Sequence, residues 1–193
     1  MDADLFADAG GKATPNHSYT DDIKSWHVLM RQFSSFSFRV AKEQAHLYAF
    51  CDIENFFLLH DYLAFAGWTV FRTPLIWYKP NGNRAPWPQH GPQRKYECIL
   101  YAIRGKKTTL KLGPDVLMHT SDANLGLSAQ KPVDLYIDLL KRSARAGDLV
   151  LDPFCGTGTI FLAAQACLCT ATGIELDPAN YGIAIKRLEG LKK

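Results

Sequence analysis

The last third of the chain alternates short apolar strands with helices, and this alternation restricts the fold more than any other feature. "DLVLD" (148–152) is typical of a strand and "TIFLAAQACL" (159–168) of a helix; "ATGIE" (171–175) and "NYGIAIKRLEGL" (180–191) repeat the pair. Before them, Pro132 begins a predicted helix that has Val133, Ile137 and Leu140 on one face. Strands alternating with helices of this length indicate a parallel α/β sheet.

The earlier part of the chain is less regular but still predicts both kinds of element. Two helices are predicted, at 21–40 and at 53–67, the second ending at Gly67. Extended segments are predicted at 46–52, at 68–80 with an interruption at Pro74, and at 95–103. Residues 1–20 and 105–130 are expected to be irregular.

Composition places the chain among ordinary soluble proteins. It has 193 residues, of which 47% are hydrophobic and 21% charged. The acidic first 22 residues contain no apolar signal core, and no apolar stretch approaches membrane-spanning length, so we expect a cytoplasmic protein without membrane contact. The five cysteines are odd in number and suit free thiols in a reducing compartment. Cys167-x-Cys169 has no second pair nearby, so no metal site is expected.

Positive charge is concentrated between Lys79 and Lys111. This stretch has eight Lys and Arg residues against Glu97 alone, whereas the whole chain carries a net charge of only +3. Such a patch attracts polyanions, nucleic acids among them. The alternative is a solvated loop face, which is the commoner fate of a run of charges.

The turn "VLDPFCGTGT" (150–159) follows a predicted strand and precedes a predicted helix. Ligands of parallel α/β sheets bind beyond the carboxyl ends of the strands, and Gly156 and Gly158 let a ligand approach the backbone there. Glu175 closes the next strand 17 residues after Gly158, close to the offset of roughly 20 at which an acid meets a ribose diol.

Three cofactor classes fit a glycine turn of this kind. A phosphate-binding P-loop requires a lysine after the second glycine, where this chain has Thr159. A dinucleotide fingerprint requires a third glycine, and none follows at the required spacing. The remaining class has a ribose but no phosphates, namely S-adenosylmethionine. A glycine turn that only packs helix on strand is the alternative.

Residues 129–188 resemble the β class of amino-group DNA methyltransferases, which methylate adenine N6 or cytosine N4. Four features carry the resemblance, in order: Lys-Pro before a helix, Asp-Pro-Phe-x-Gly-x-Gly-Thr, Gly-Ile-Glu-x-Asp, and a Tyr on a basic helix. "WYKPNG" and "YECILYAIRG" upstream resemble strands of the same family. The resemblance implies a Rossmann-like sheet flanked by helices, in a single domain over 1–193. Its catalytic-side half would be 1–104, with a basic loop at 79–111, and its cofactor-binding half 129–193.

The resemblance also implies roles for individual residues. Glu175 would bind the ribose hydroxyls, and Asp177 would lie near the adenine. Lys131 and Pro132 would begin the helix that flanks the methionine end. The methionine-side pocket would be formed by Asp152, Phe154, Gly156, Thr157, Gly158 and Thr159. Backbone donors at Gly158 and Thr159 suit the cofactor's carboxylate, and Asp152 suits its positive charge. Alternatively, Asp152 only caps the turn and Phe154 only packs.

DNA is the partner that the resemblance implies, and the basic stretch supplies candidate contacts. Trp87 is a candidate for stacking near a displaced base, or else a loop aromatic held between two prolines. The candidate phosphate contacts are Arg84, Arg94, Lys95, Lys106 and Lys107. We also expect an incomplete sheet, for the reason given below, and an incomplete sheet exposes an unpaired edge. Association into a homo-oligomer is therefore also expected.

One element of the family pattern is missing. The family activates the target amine with an Asp/Asn/Ser-Pro-Pro-aromatic tetrapeptide, and this chain contains no Pro-Pro pair. Either Asp8-Ala9-Gly10-Gly11 is a degraded version, or, as we favour, the chain begins after the motif. We therefore name no catalytic residue and predict an incomplete sheet and little or no methyl transfer.

The family reaction is methyl transfer to a base amine, and the prediction favours adenine N6 over cytosine N4. The alternatives are a non-catalytic cofactor- or DNA-binding remnant, a partner subunit, and a methyltransferase acting on RNA or small molecules.

Overall fold

The computed structural model describes residues 23–81, 92, 95–121 and 130–191. Twelve elements lie in these ranges: α1 (Ile23–Val40), β1 (Ala45–Cys51), α2 (Ile53–Ala66), β2 (Thr69–Val70), β3 (Leu75–Tyr78), β4 (Tyr96–Arg104), β5 (Val116–Met118), α3 (Val133–Ser143), β6 (Leu149–Asp152), α4 (Thr159–Ala166), β7 (Thr170–Gly173) and α5 (Pro178–Gly190). The predicted helices and strands are present, and the break at Pro74 separates β2 from β3. Only β5 falls in a stretch expected to be irregular.

The strands form two sheets rather than one. In the first, the order is β1-β4-β3-β5, and β2 also pairs with β4. β4 is antiparallel to β1, β2 and β3, while β5 is parallel to β3, so every strand of this sheet except β4 runs in the same direction. β6 and β7 form a separate parallel pair.

The mixed α/β class with flanking helices is confirmed, and the parallel pairing predicted from the last third of the chain is present in β6–β7; the antiparallel β4 lies outside that third. A parallel neighbour requires a crossover connection, usually a helix, whereas an antiparallel neighbour does not. The pairs Leu75–Ile99 and Tyr78–Tyr96 place the end of β3 beside the start of β4. β4 therefore returns directly along β3.

The side chains of β4 alternate between two hydrophobic cores, as period-2 geometry requires. Cys98, Leu100 and Ala102 pack on the face covered by α1 and α2. Ile99 packs on the opposite face, with Trp77 and the helix α3. The first sheet is thus covered by helices on both faces.

Helix α3 joins the two sheets. Leu135 and Leu139 pack into the core of the first sheet, and Leu140, together with Val133 and Ile137, packs against α4 and the β6–β7 pair. The sequence predicted only the second of these faces. A helix that buries two faces fixes the relative position of the structures on either side, and this positions the turn after β6 beside the first sheet.

The β6–β7 pair is covered on one face only within the part of the chain that the structure describes. Val150 and Ala171 pack under α3 and α4, whereas Leu149 and Leu151, on the other face, are 66% and 47% exposed. None of the helices at residues 23–191 that the structure describes is both long and apolar enough to cross a membrane.

Candidate functional site

The turn between β6 and α4 has the backbone geometry that its glycines permit. Gly156 and Gly158 have φ values of 53° and 80°, in the left-handed region that disfavours other residues. The Gly158 N–H donates to the Cys155 carbonyl at 2.8 Å, and the Cys155 N–H donates to the Ile174 carbonyl at 3.0 Å. The turn itself therefore uses the Gly158 N–H in this conformation, and binding of a ligand carboxylate by the Gly158 and Thr159 backbone donors remains a prediction.

The two glycines differ in what surrounds them. A Cβ on Gly158 would lie 2.9 Å from Phe161 and 3.0 Å from the Ala184 Cβ, so this glycine lets α4 pack against α5. A Cβ on Gly156 would meet nothing within 4 Å. The packing interpretation of the turn thus applies to Gly158, whereas Gly156 borders open space.

Glu175 is hydrogen-bonded to the turn at Gly156. One of its carboxylate oxygens accepts the Gly156 N–H at 2.8 Å, and the other accepts the Asp177 N–H at 2.8 Å. An ionised carboxylate has about four acceptor positions, so these two bonds leave capacity for two hydroxyl donors. Glu175 both holds the turn in shape and presents acceptors beside it.

Asp177 has a structural role in the same segment. It is the N-cap of α5, and its side chain accepts the N–H groups of Ala179 at 2.8 Å and Asn180 at 3.0 Å. Its predicted position near an adenine remains a prediction, and the cap explains why an acid precedes Pro178.

Asp152 closes β6 and lies in a poorly solvated place. Its carboxylate accepts the Phe154 N–H at 3.0 Å, so it does cap the turn. Burial raises the pKa of Asp152, while the Phe154 N–H and the Tyr136 hydroxyl oppose that rise. Burial also raises the pKa of Tyr136 well above its ordinary value, so this phenol stays protonated and faces Asp152 as a donor. Tyr136 was not predicted as a site residue; in the structure it packs in the same core cluster as Val133 and Ile137.

Three other residues of the turn form hydrogen bonds or ring contacts with neighbouring parts of the chain. Thr157 is buried, and Arg187 on α5 donates to its carbonyl at 3.0 Å and to its hydroxyl at 3.2 Å. Thr159, also buried, donates its hydroxyl to the Lys131 carbonyl at 3.3 Å. Phe154 is 51% exposed, with its ring centroid 5.7 Å from that of Phe33.

Lys131 belongs to a charged cluster that sequence reasoning missed. Its ammonium lies 2.8 Å from one carboxylate oxygen of Glu97, and Lys79 bonds the other oxygen. The next residue, Pro132, is fully buried as the N-cap of α3. Burial alone would raise the pKa of Glu97, but the two lysines outweigh it and hold that pKa below its ordinary value. A lone acid in a basic stretch was the only signal for this cluster.

The basic stretch is not a single patch. Lys95 directly precedes β4, whereas Lys106 and Lys107 follow its other end, and Lys107 lies 3.8 Å from Asp148. β4 has nine residues, so its first and last residues lie about 26 Å apart at about 3.3 Å per residue, and the lysines follow or precede these two opposite ends. Arg84, Trp87 and Arg94 lie outside the described residues.

The cysteine pair at 167 and 169 has ordinary surroundings. The Cys169 thiol contacts the Arg145 carbonyl at 3.4 Å, and burial raises the pKa of both thiols. Within the described ranges, no group of three or more His, Cys, Asp or Glu side chains could hold a metal ion.

The known proteins to which this chain is similar include DNA methyltransferases. Residues 117–186 match the DNA methylase family model for N6 and N4 methyltransferases. The chain is 41% identical over 149 residues to the type II methyltransferase M.Cfr9I of Citrobacter freundii, covering 66% of this chain and 48% of the relative. It is 40% identical over 144 residues to M.HinfI of Haemophilus influenzae, covering 61% and 39%. The matched region thus spans about half the length of these relatives or less.

Solved structures show the same fold at low identity. The complex of M1.HpyAVI with SAM superposes with a TM-score of 0.72 at 21% identity, covering 88% of this chain and 85% of that one. The cytosine-N4-specific PvuII DNA methyltransferase gives a TM-score of 0.70 at 14% identity, covering 85% and 71%. The resemblance to amino-group DNA methyltransferases inferred from the sequence is confirmed.

Proposed function

We propose, on the premise that residues 117–186 match the DNA methylase family, that this chain provides the cofactor site of an S-adenosylmethionine-dependent DNA methyltransferase. The turn after β6 would hold the methionine part of the cofactor, and Glu175 would bind the ribose hydroxyls. Asp152 would stabilise the adjacent positive charge. Lys131, Pro132, Thr157 and Thr159 would fix the turn, and Asp177 would border the adenine.

One observation carries this assignment. The Gly156 and Gly158 N–H groups already donate to Glu175 and to the Cys155 carbonyl, whereas a P-loop leaves such groups free to cradle phosphates. The turn is moreover flanked by the carboxylates of Asp152 and Glu175, which repel phosphate and attract a sulfonium. A phosphate-free, cationic nucleoside fits this environment better than a nucleotide does.

The substrate would be an exocyclic amine of a DNA base, with adenine N6 favoured over cytosine N4. Lys95 directly precedes β4, and its carbonyl accepts the N–H of Lys79, the residue that bonds Glu97. We expect Lys95, together with Arg84, Arg94 and Trp87, to contact DNA near the transfer site. Lys106 and Lys107 lie at the far end of β4 and would contact a separate segment of the backbone.

On its own, the 193-residue chain is expected to transfer methyl groups slowly, because it contains no Pro-Pro tetrapeptide to accept the amine hydrogens. The same observation favours a second candidate, a cofactor- or DNA-binding subunit without catalytic activity. The two differ in a transfer assay with labelled cofactor on unmethylated DNA, in which the subunit alone gives no product.

Calorimetric titration tests the cofactor assignment. S-adenosylmethionine should bind the wild-type chain, and ATP should not compete with it. Glu175→Gln should weaken binding about tenfold or more, because hydrogen bonds to a charged group contribute about 1.5–3 kcal/mol. Glu189→Gln, an exposed position on α5, is the matched control and should bind as the wild type does. Absence of cofactor binding, or equal binding of ATP, would contradict the assignment.

A further inference from the structure

Glu97 lies between two lysines that come from different parts of the fold. Lys79 follows β3, and Lys131 immediately precedes the N-cap of α3. Each ammonium bonds a different oxygen of the Glu97 carboxylate, and the three side chains are only 16–30% exposed. The cluster carries one net positive charge in a partly desolvated position.

Aromatic rings enclose this cluster. The Lys79 ammonium lies 4.4 Å from the centroid of the Trp77 ring, and the Lys131 ammonium lies 5.3 Å from that of Phe50 and 5.7 Å from Trp77. Cation–π contacts of this kind hold the lysine side chains in place. The charges therefore have fixed positions, unlike those of lysines on an open surface.

The cluster is also connected to the glycine turn. The Lys131 carbonyl accepts the Thr159 hydroxyl at 3.3 Å, and Thr159 begins α4. Phe50 stacks on Tyr136 with ring centroids 5.9 Å apart, and the charge of Glu97 acts on Tyr136, which faces Asp152. Glu97 is thus linked to the candidate cofactor site by its ion pair with Lys131 and by its charge acting on Tyr136, which stacks on Phe50.

We propose that Glu97 is a positioning and specificity-determining residue, which holds Lys131 against the first sheet and offsets one lysine charge beside the cofactor turn. This inference rests on the proposed cofactor site. S-adenosylmethionine carries one more positive charge than S-adenosylhomocysteine, the product that remains after methyl transfer. Removal of the Glu97 charge would raise the net charge of the cluster by one, and this added positive charge would repel the methyl donor more than the product, so Glu97 favours binding of the donor.

The test is a calorimetric comparison of the two ligands on matched variants. If the Glu97 carboxylate and the bound sulfonium lie roughly 15 Å apart, a unit charge changes affinity about sixfold at an effective dielectric constant of about 20. Glu97→Gln should therefore reduce the preference for S-adenosylmethionine over S-adenosylhomocysteine about sixfold, and added salt should diminish the effect. Glu97→Asp should retain the wild-type preference. Glu97→Gln combined with Lys79→Met restores the net charge and should restore the preference. Glu43→Gln, an exposed position beyond α1, is the control.

The outcomes separate the two proposals. If Glu97→Gln weakens both ligands equally, Glu97 has a structural role only and the inference is overturned. If the wild-type chain binds neither ligand, the proposed function fails. Circular dichroism of each variant establishes whether it is folded. If Glu97→Gln does not fold, Glu97→Asp tests the inference, because this variant keeps the negative charge and should keep the wild-type preference; loss of that preference would overturn the inference.

Discussion

Alanine substitutions at three glycines around the turn separate backbone strain, steric overlap and ligand space. Gly156 has a positive φ but open surroundings, and Gly158 has a positive φ and close neighbours. Gly173 has no positive φ, but a Cβ there would lie 2.7 Å from Phe161 and 2.8 Å from the Cys155 Sγ. Gly182 on α5 has neither feature and is the control.

The expected changes in the free energy of unfolding follow from these surroundings. Gly156→Ala should cost about 1–2 kcal/mol, the penalty for a left-handed conformation. Gly173→Ala should cost about 1–3 kcal/mol from overpacking. Gly158→Ala combines both effects and should cost about 2–5 kcal/mol. Gly182→Ala should stabilise by about 0.5–1 kcal/mol, since alanine is the better helix former.

Urea unfolding measures these stabilities, and titration with S-adenosylmethionine measures the space at the turn. Gly156→Ala should lose more cofactor affinity than its modest instability explains, because its methyl group enters the open space beside Glu175. Gly173→Ala should lose more stability than cofactor affinity. Wild-type cofactor affinity of Gly156→Ala, or a loss of stability equal to that of Gly158→Ala, would contradict these expectations.

Three further outcomes follow from single contacts. The pKa of Glu97 is lowered from 4.5 in the folded state because Lys131 and Lys79 outweigh the effect of burial. Its contribution to stability is therefore present above about pH 4.5 and lost as the pH falls through the lowered pKa, and Glu97→Gln should reduce this acid dependence in urea unfolding between pH 3 and 7. Leu135→Ala removes a fully buried contact between α3 and the first sheet and should cost about 2–5 kcal/mol in the same assay; an unchanged unfolding midpoint would contradict the bridging role of α3. Asp177→Ala removes the N-cap of α5 and should cost about 1 kcal/mol by thermal unfolding, whereas no change would mean that the cap bonds contribute nothing.

The local elements of this fold could be predicted because their determinants lie close together in the sequence. The strand ending at Asp152, the helix beginning at Thr159 and the acid at Glu175 form one continuous pattern, and the structure places Glu175 at the turn. Long-range features were not accessible in this way. The direction of β4 depends on its pairing with β1 and β3, and nothing within β4 itself encodes that direction.

The missed parts of the candidate site have the same cause. Tyr136 was not among the residues singled out from the sequence, because only the tertiary structure places its hydroxyl next to Asp152. In the sequence, Glu97 was noted only as the single acid in a positively charged stretch. In the structure, a lysine that follows β3 and a lysine that precedes α3 both bond its carboxylate. Lys95 and Lys107 are close in the sequence, but in the structure they lie near opposite ends of β4, which extends between them.

A crystal structure of the chain with S-adenosylmethionine would locate the cofactor relative to the glycine turn. The methionine part should lie against Gly156, and both ribose hydroxyls should lie about 2.5–3.0 Å from the Glu175 carboxylate. A cofactor bound elsewhere, or a ribose turned away from Glu175, would contradict the proposed cofactor site.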